Sequence, residues 1–150
     1  MKTRGFEVVT TYTDKGIALP ARKTGCSAGY DLAAAEDVLL APNRVTLVPT
    51  GLKAYMQPDE YLGIHVRSGF SIRNLVSCVN DEGIIDADYY DNAENEGHIL
   101  VSLLNHSEKV VTLDKGKAFV QGIFVSYDIT RDDQVETIRT GGIGSSDLRL

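Results

Sequence analysis
Short apolar runs, some alternating with polar residues, recur along the chain, and turn residues cut them at intervals of roughly 8–12 positions. Phe6–Thr11 reads FEVVTT, and Val38–Leu40 ends at Ala41-Pro42-Asn43. Val45–Val48 ends at Pro49-Thr50-Gly51, and Leu52–Met56 runs into Gln57-Pro58-Asp59. Tyr61–Val66 alternates in part, as a strand with one wet face does. Leu75–Val79, Ile99–Leu104, Val110–Leu113 and Ala118–Val125 read as further strands, with Gln134–Ile138 a weaker one. Helical signals are few. Ser68–Asn74 (SGFSIRN) predicts one short helix, with Ser68 able to cap it. Ala33-Ala34-Ala35-Glu36 has helix propensity, but Pro42 and the surrounding β pattern leave it little room. The pattern predicts an all-β sandwich or barrel with one or two helical turns.

At 150 residues, the chain is sized for one domain with a proper core. Its net charge of −6, from 15 basic and 21 acidic residues, argues against nucleic acid or an anionic membrane as partner. The opening MKTRGFEVVT has no apolar core, which predicts no signal peptide, and no run is long enough to span a membrane. Cys26 and Cys78 lie far apart and read as free thiols, so a cytoplasmic location is expected. His65, His98 and His106 have no zinc spacing, and no phosphate-binding P-loop or dinucleotide fingerprint is present.

Five stretches mix small residues with strong polar groups: Ala28–Glu36 (AGYDLAAAE), Arg67–Ser71 (RSGFS), Asn80–Tyr89 (NDEGIIDADY), Gly116–Gln121 (GKAFVQ) and Arg139–Asp147 (RTGGIGSSD). In the last, glycines let main-chain N–H groups approach an anion, and Arg139 offers a forked cation. In the second, an Arg and a Ser at a helix start suit a phosphate. Each has a blander reading alone, as a capped helix or a loose tail. In the third, Asp86 follows Ile84 and Ile85, an unfavourable place for an acid unless a turn or a chemical role requires it.

In this order the five stretches resemble the motifs of the trimeric dUTPases, which hydrolyse dUTP to dUMP and pyrophosphate. The resemblance implies a distorted β jelly roll in a homotrimer whose three subunits share each site, one contributing the third stretch, a second the phosphate-binding stretches and a third the tail. It implies one β domain over 1–138 and a mobile tail over 139–150 that closes over the nucleotide. It assigns Asp86 to the attacking water and Tyr89 to the deoxyribose, where its ring leaves no volume for a 2′-hydroxyl. A β-hairpin after Tyr89 would read uracil, with Gly83 and Ile85 beside it, and Asn80 would add a polar contact near the base or the phosphates. Arg67, Ser68, Gly69 and Gln121 would hold the phosphates. Arg139, Gly142, Ile143, Gly144 and Ser145 would form the lid. The implied cofactor is Mg²⁺, held mainly by the triphosphate, with Asp31 acting through water.

The chain departs from the family pattern at several points. Ile143 stands where an aromatic usually stacks on uracil, and Asp147 replaces a usual glycine. GKAFVQ lacks the usual acid and arginine, Phe70-Ser71 replaces a commoner Leu-Ala pair, and Asp91–Gly97 lengthens the hairpin region. Such variation resembles that among members from bacteria and their phages. The competing reading is a dUTP-binding regulatory protein that signals to a protein partner; a third, a dCTP deaminase-like relative, fits Asp86 and Tyr89 less well. A pure binder needs no acid beside a triphosphate, so Asp86 favours catalysis.

Overall fold
The structure, a computed structural model, describes residues 3–144. It contains eleven strands and one α-helix, all strand pairs being antiparallel. The strands are β1 (Gly5–Val8), β2 (Tyr30–Ala33), β3 (Val38–Leu40), β4 (Val45–Pro49), β5 (Leu52–Tyr55) and β6 (Glu60–Val66). After helix α1 (Ser68–Asn74) come β7 (Val76–Cys78), β8 (Gly83–Asp86), β9 (Leu100–Asn105), β10 (Val111–Leu113) and β11 (Ala118–Ser126). They form a four-stranded sheet in the order β2-β11-β6-β8, a three-stranded sheet β4-β9-β7, and the pairs β1-β5 and β10-β3.

Alternation along the strands builds the core. In β9, Val101, Leu103 and Asn105 are buried while the residues between them are half-exposed. Leu32 of β2, Leu62 and Ile64 of β6, Leu103 of β9 and Phe119 and Val120 of β11 belong to one apolar cluster. Each such burial stabilises by about 1.5–3 kcal/mol. Helix α1 plugs this core with Phe70, whose ring meets that of Phe119 edge-on at 6.4 Å. The buried Asn105 is satisfied because its amide donates to the carbonyls of Leu40 and Lys109.

The helix has the bounds that its sequence predicts, but Ser68 does not cap it. Arg67 takes the capping position in extended backbone, with no side-chain capping bond, and Ser68 opens the first turn. Ala33-Ala34-Ala35 is not helical, because Leu32 and Ala34 are drawn into the sheet core. Gln134–Ile138 is not a strand: no strand pairs with it among the described residues, and Val135 and Ile138 are 78% and 82% exposed. No helix among the described residues is long and apolar enough to cross a membrane.

Candidate active site
Strand β8 ends at Asp86, and a 3₁₀ turn, Ala87–Tyr89, follows at once. That turn answers why an acid stands after two isoleucines. Ile85 packs toward the core, whereas Asp86 sits where the sheet stops and keeps 49% side-chain exposure. A cavity of about 260 Å³ opens beside it. Asn80, Gly83, Ile85, Asp86, Tyr89, Arg139, Gly142, Ile143 and Gly144 all line it, so nine of the residues singled out from the sequence meet in one place. Ser145 and Asp147 lie outside the described residues. Ile64, Cys78, Ile84, Leu100, Val101 and Ser102 complete the wall.

The expected hairpin after Tyr89 is absent. Residues 90–98 form consecutive turns, and β9 pairs with β4 and β7 rather than with β8. Side chains impose this course. The Asn92 carboxamide accepts from the main-chain N–H groups of Glu94 and Asn95 and donates to the Tyr89 carbonyl and to Asn95 Oδ1. Gly97 has φ +80°, and a Cβ there would lie 2.7 Å from the Tyr89 carbonyl oxygen, so the loop closes only on glycine. Because no hairpin consumes it, β8 is an edge strand, paired only with β6. Its outer main-chain groups have no strand partner among the described residues.

Tyr89 is buried and held at its hydroxyl, which donates to the His98 carbonyl (2.8 Å) and accepts from Asn95 Nδ2 (2.8 Å). Burial raises the phenol's pKa, against the pull of the Asn95 bond, which keeps it a neutral donor. Burial likewise lowers the His98 pKa, and the neutral ring accepts from the Gly51 N–H at 2.9 Å. Burial also raises the Cys78 thiol's pKa, which keeps it in the unreactive form.

The tail segment lies over this cavity on its own chain. Arg139 is forked between two acids, Nη2 on Asp86 Oδ2 at 2.6 Å and Nε on Asp88 Oδ1 at 2.9 Å. The Gly142 N–H donates to Glu94 Oε2 at 2.6 Å. Ile143 borders the cavity yet stays 71% exposed.

The remaining candidates gather elsewhere. Asp31, Arg67, Ser68, Gly69 and Gln121 line a second, shallower pocket with Lys23, Ser27 and Gly29, and it shares no residue with the first. A Cβ on Gly29 would lie 2.3 Å from the Gln121 carboxamide oxygen, so glycine lets that side chain lie against β2. Arg67 Nε stands 3.3 Å from Asp31 Oδ1. The other Asp31 oxygen is buried without a hydrogen-bond partner, and the nearest cation, Lys23 Nζ, is 3.9 Å away. Sheet register separates the pockets. Asp31 faces Gln121, which faces His65, whereas Asp86 faces Tyr61. The two aspartates are therefore three strands apart, about 14 Å, and four residues apart along the strands, about 13 Å more.

Sequence reading missed Glu94 and Asn95. The signal available was the asparagine pair in DNAEN, a composition that folds a loop onto its own side chains.

The dUTPase family model matches residues 15–147. The deoxyuridine 5'-triphosphate nucleotidohydrolase of Lactococcus lactis is 46% identical over 148 residues, which cover 97% of this chain and 99% of that protein. The protein of the same name from Brucella melitensis is 36% identical over 141 residues, covering 88% and 86%. Among solved structures, the dUTPase from Streptococcus mutans superposes with a TM-score of 0.80 at 42% identity, covering 84% of this chain and 98% of that one. The dUTPase from phage phi11 of S. aureus gives 0.72 at 18% identity, covering 93% and 100%, a likeness of fold alone. With the family model spanning most of its length, this chain belongs to the dUTPase family.

Proposed function
We propose that this chain hydrolyses dUTP to dUMP and pyrophosphate, at sites assembled between copies of itself. The observation that carries the reading is the position of Asp86, a carboxylate at the mouth of a cavity, next to a buried tyrosine and under an arginine. The cavity takes the base and sugar. The free edge of β8 offers the main-chain donors and acceptors that read uracil; cytosine would leave buried groups unpaired. The Tyr89 ring, fixed at its hydroxyl from two sides, cannot swing aside to admit a 2′-hydroxyl.

Arg139 is paired with Asp86 and Asp88. Phosphate oxygens compete for that guanidinium, and its transfer to the substrate frees Asp86 to accept a proton from water. The water oxygen bonds to the α-phosphorus while the bond to the bridging oxygen breaks. Pyrophosphate leaves with the electron pair, and Asp86 holds the proton. Closure of residues 139–144 excludes other water.

The phosphate pocket of one chain lies too far from its own Asp86 to serve the same α-phosphorus. A second copy supplies it, which is the reading that favours a homotrimer. Exposed apolar residues on β3, β4 and α1, including Leu39, Val45, Leu47 and Ile72, are consistent with faces that copies bury. Among the described residues no three acids, histidines or cysteines could cage a metal. The unpartnered Asp31 oxygen nevertheless fits a water of a hydrated cation, so Asp31 would hold Mg²⁺ at one remove. When bound, Mg²⁺ neutralises phosphate charge. The location we propose is the cytoplasm.

Pyrophosphate release from dUTP, dTTP, dCTP and UTP with Mg²⁺ tests the reading. Only dUTP is expected to turn over well, and Asp86→Asn is expected to bind it with kcat lowered by roughly a thousandfold. Full activity in that variant removes Asp86 from the reaction.

A further inference from the structure
Tyr89 is gripped at both of its ends by one pair of side chains. Its hydroxyl accepts from Asn95 Nδ2 at 2.8 Å, and its carbonyl accepts from Asn92 Nδ2 at 2.8 Å. The two asparagines are themselves joined, Asn92 Nδ2 also donating to Asn95 Oδ1 at 2.8 Å. A closed circuit of hydrogen bonds therefore runs from the phenol of one residue back to its own main chain. Both Asn92 Nδ2 protons are engaged, and its Oδ1 accepts from the Glu94 and Asn95 N–H groups. Neither carboxamide can turn without losing bonds.

The loop that carries the pair is pinched at its mouth from the opposite side. Asp91 and Glu96 flank it, both in left-handed backbone, with φ of +54° and +62°. L residues seldom adopt that conformation, so contacts rather than local preference hold the loop in shape. The buried Lys53 bonds both carboxylates, at 2.5 and 2.7 Å, and the Asp91 N–H donates to the Glu96 carbonyl. With its mouth closed in this way, the loop does not depend on the bond from Asn95 to the phenol. What that bond holds is the ring. We propose that Asn92 and Asn95 are positioning residues for sugar selection, which hold the Tyr89 ring against the cavity so that a 2′-deoxynucleotide enters and a ribonucleotide is refused. The proposal rests on the reading of this cavity as the nucleotide site. A ring held by packing alone tilts away from a 2′-hydroxyl at little cost, whereas a ring tied at its far end must first break a bond inside the protein. Selectivity then resides in the loop as well as in the tyrosine.

Asn95→Asp keeps an oxygen for Asn92 and for the Gly97 N–H, but turns the donor facing the phenol into an acceptor. The single phenol proton then faces two acceptors, this one and the His98 carbonyl, and one bond is lost. Asn92→Asp keeps the oxygen that shapes the turn and removes both Nδ2 donations. Tyr89→Phe removes the hydroxyl and leaves the loop's side chains in place. Each variant is assayed for kcat/KM with dUTP and with UTP. Asn95→Asp is expected to narrow the preference for dUTP roughly tenfold, mainly through a rise in kcat/KM for UTP. Asn92→Asp acts one bond further from the ring, and roughly threefold is expected. Tyr89→Phe should narrow the preference at least as far as Asn95→Asp, and combining the two should narrow it no further. A merely structural role lowers both substrates alike and leaves their ratio unchanged. That result for Asn95→Asp, a wild-type preference in Tyr89→Phe, or losses that add in full in the double variant would each overturn the proposal. Failure of the underlying reading looks different: the wild type itself then does not turn over dUTP.

Discussion
The two pockets of this chain are built on opposite plans. The cavity at β8 is the deeper of the two, its wall mixes apolar residues with Asn80, Asp86 and Arg139, and its Tyr89 hydroxyl is satisfied within the same chain. The pocket between β2, β11 and α1 is shallow and strongly polar, and leaves an Asp31 oxygen buried with no hydrogen-bond partner. A region complete in itself can recognise an uncharged shape, which on the proposed function is a base and a sugar. A region with unspent charge waits for something to neutralise it, which on the same proposal is a triphosphate with its cation. On the proposed function the contrast suits an acidic chain that binds an anion: each of the two pockets has its own cations, Arg139 over one and Arg67 with Lys23 beside the other.

The comparison can be broken most severely on the polar side. Arg67→Ala is expected to lower kcat/KM for dUTP by about a hundredfold through loss of a charged phosphate contact. It should leave deoxyuridine binding, measured by calorimetry, nearly unchanged; equal loss for nucleoside and nucleotide would merge the two pockets into one function. A smaller effect is expected on the deeper side. Ile143→Phe supplies a ring that can lie on uracil, and KM should fall by roughly tenfold, stacking being worth about 1–3 kcal/mol per base. The smallest effect concerns the loop's own support. The hydrogen bond from Lys53 is the main cause holding the Glu96 carboxyl down at about 2 from an ordinary 4.5, helped by the Thr10 N–H and hydroxyl. A depressed acid stabilises the fold above its unfolded pKa, and that contribution is lost as pH falls from about 4.5 toward 2. Glu96→Gln should therefore flatten the decline of Tm across that window. A decline as steep as the wild type's would place the acid sensitivity elsewhere.

Most strands were legible because their apolar runs are bounded by Pro, Gly and Asn, and α1 was legible because a short polar segment opening on Ser68 carries one core residue, Phe70. Tyr30–Ala33 was hidden as a strand because an alanine run reads as helix; only its pairing with β11 resolves it. Val135 and Ile138 show the reverse error, a strand-like composition with no strand to pair against. The course after Tyr89 was lost for another reason. It is fixed by two asparagine carboxamides and a glycine at positive φ, and the spacing of apolar residues says nothing about those. The site's residues were legible through their motifs, but not their division. The register that sets Asp31 far from Asp86 passes through three strands, and no local segment carries it.

That division is the centre of the account, and mixed assemblies test it most directly. Asp86→Asn and Arg67→Ala chains, each nearly inactive alone, are co-expressed with different tags, and trimers containing both are isolated. If each site takes Asp86 from one copy and Arg67 from another, every mixed trimer keeps one intact site in three and shows about a third of wild-type activity. If both residues act from the same chain, every site in the mixture carries a defect. Activity no higher than that of the separate variants would then contradict the account.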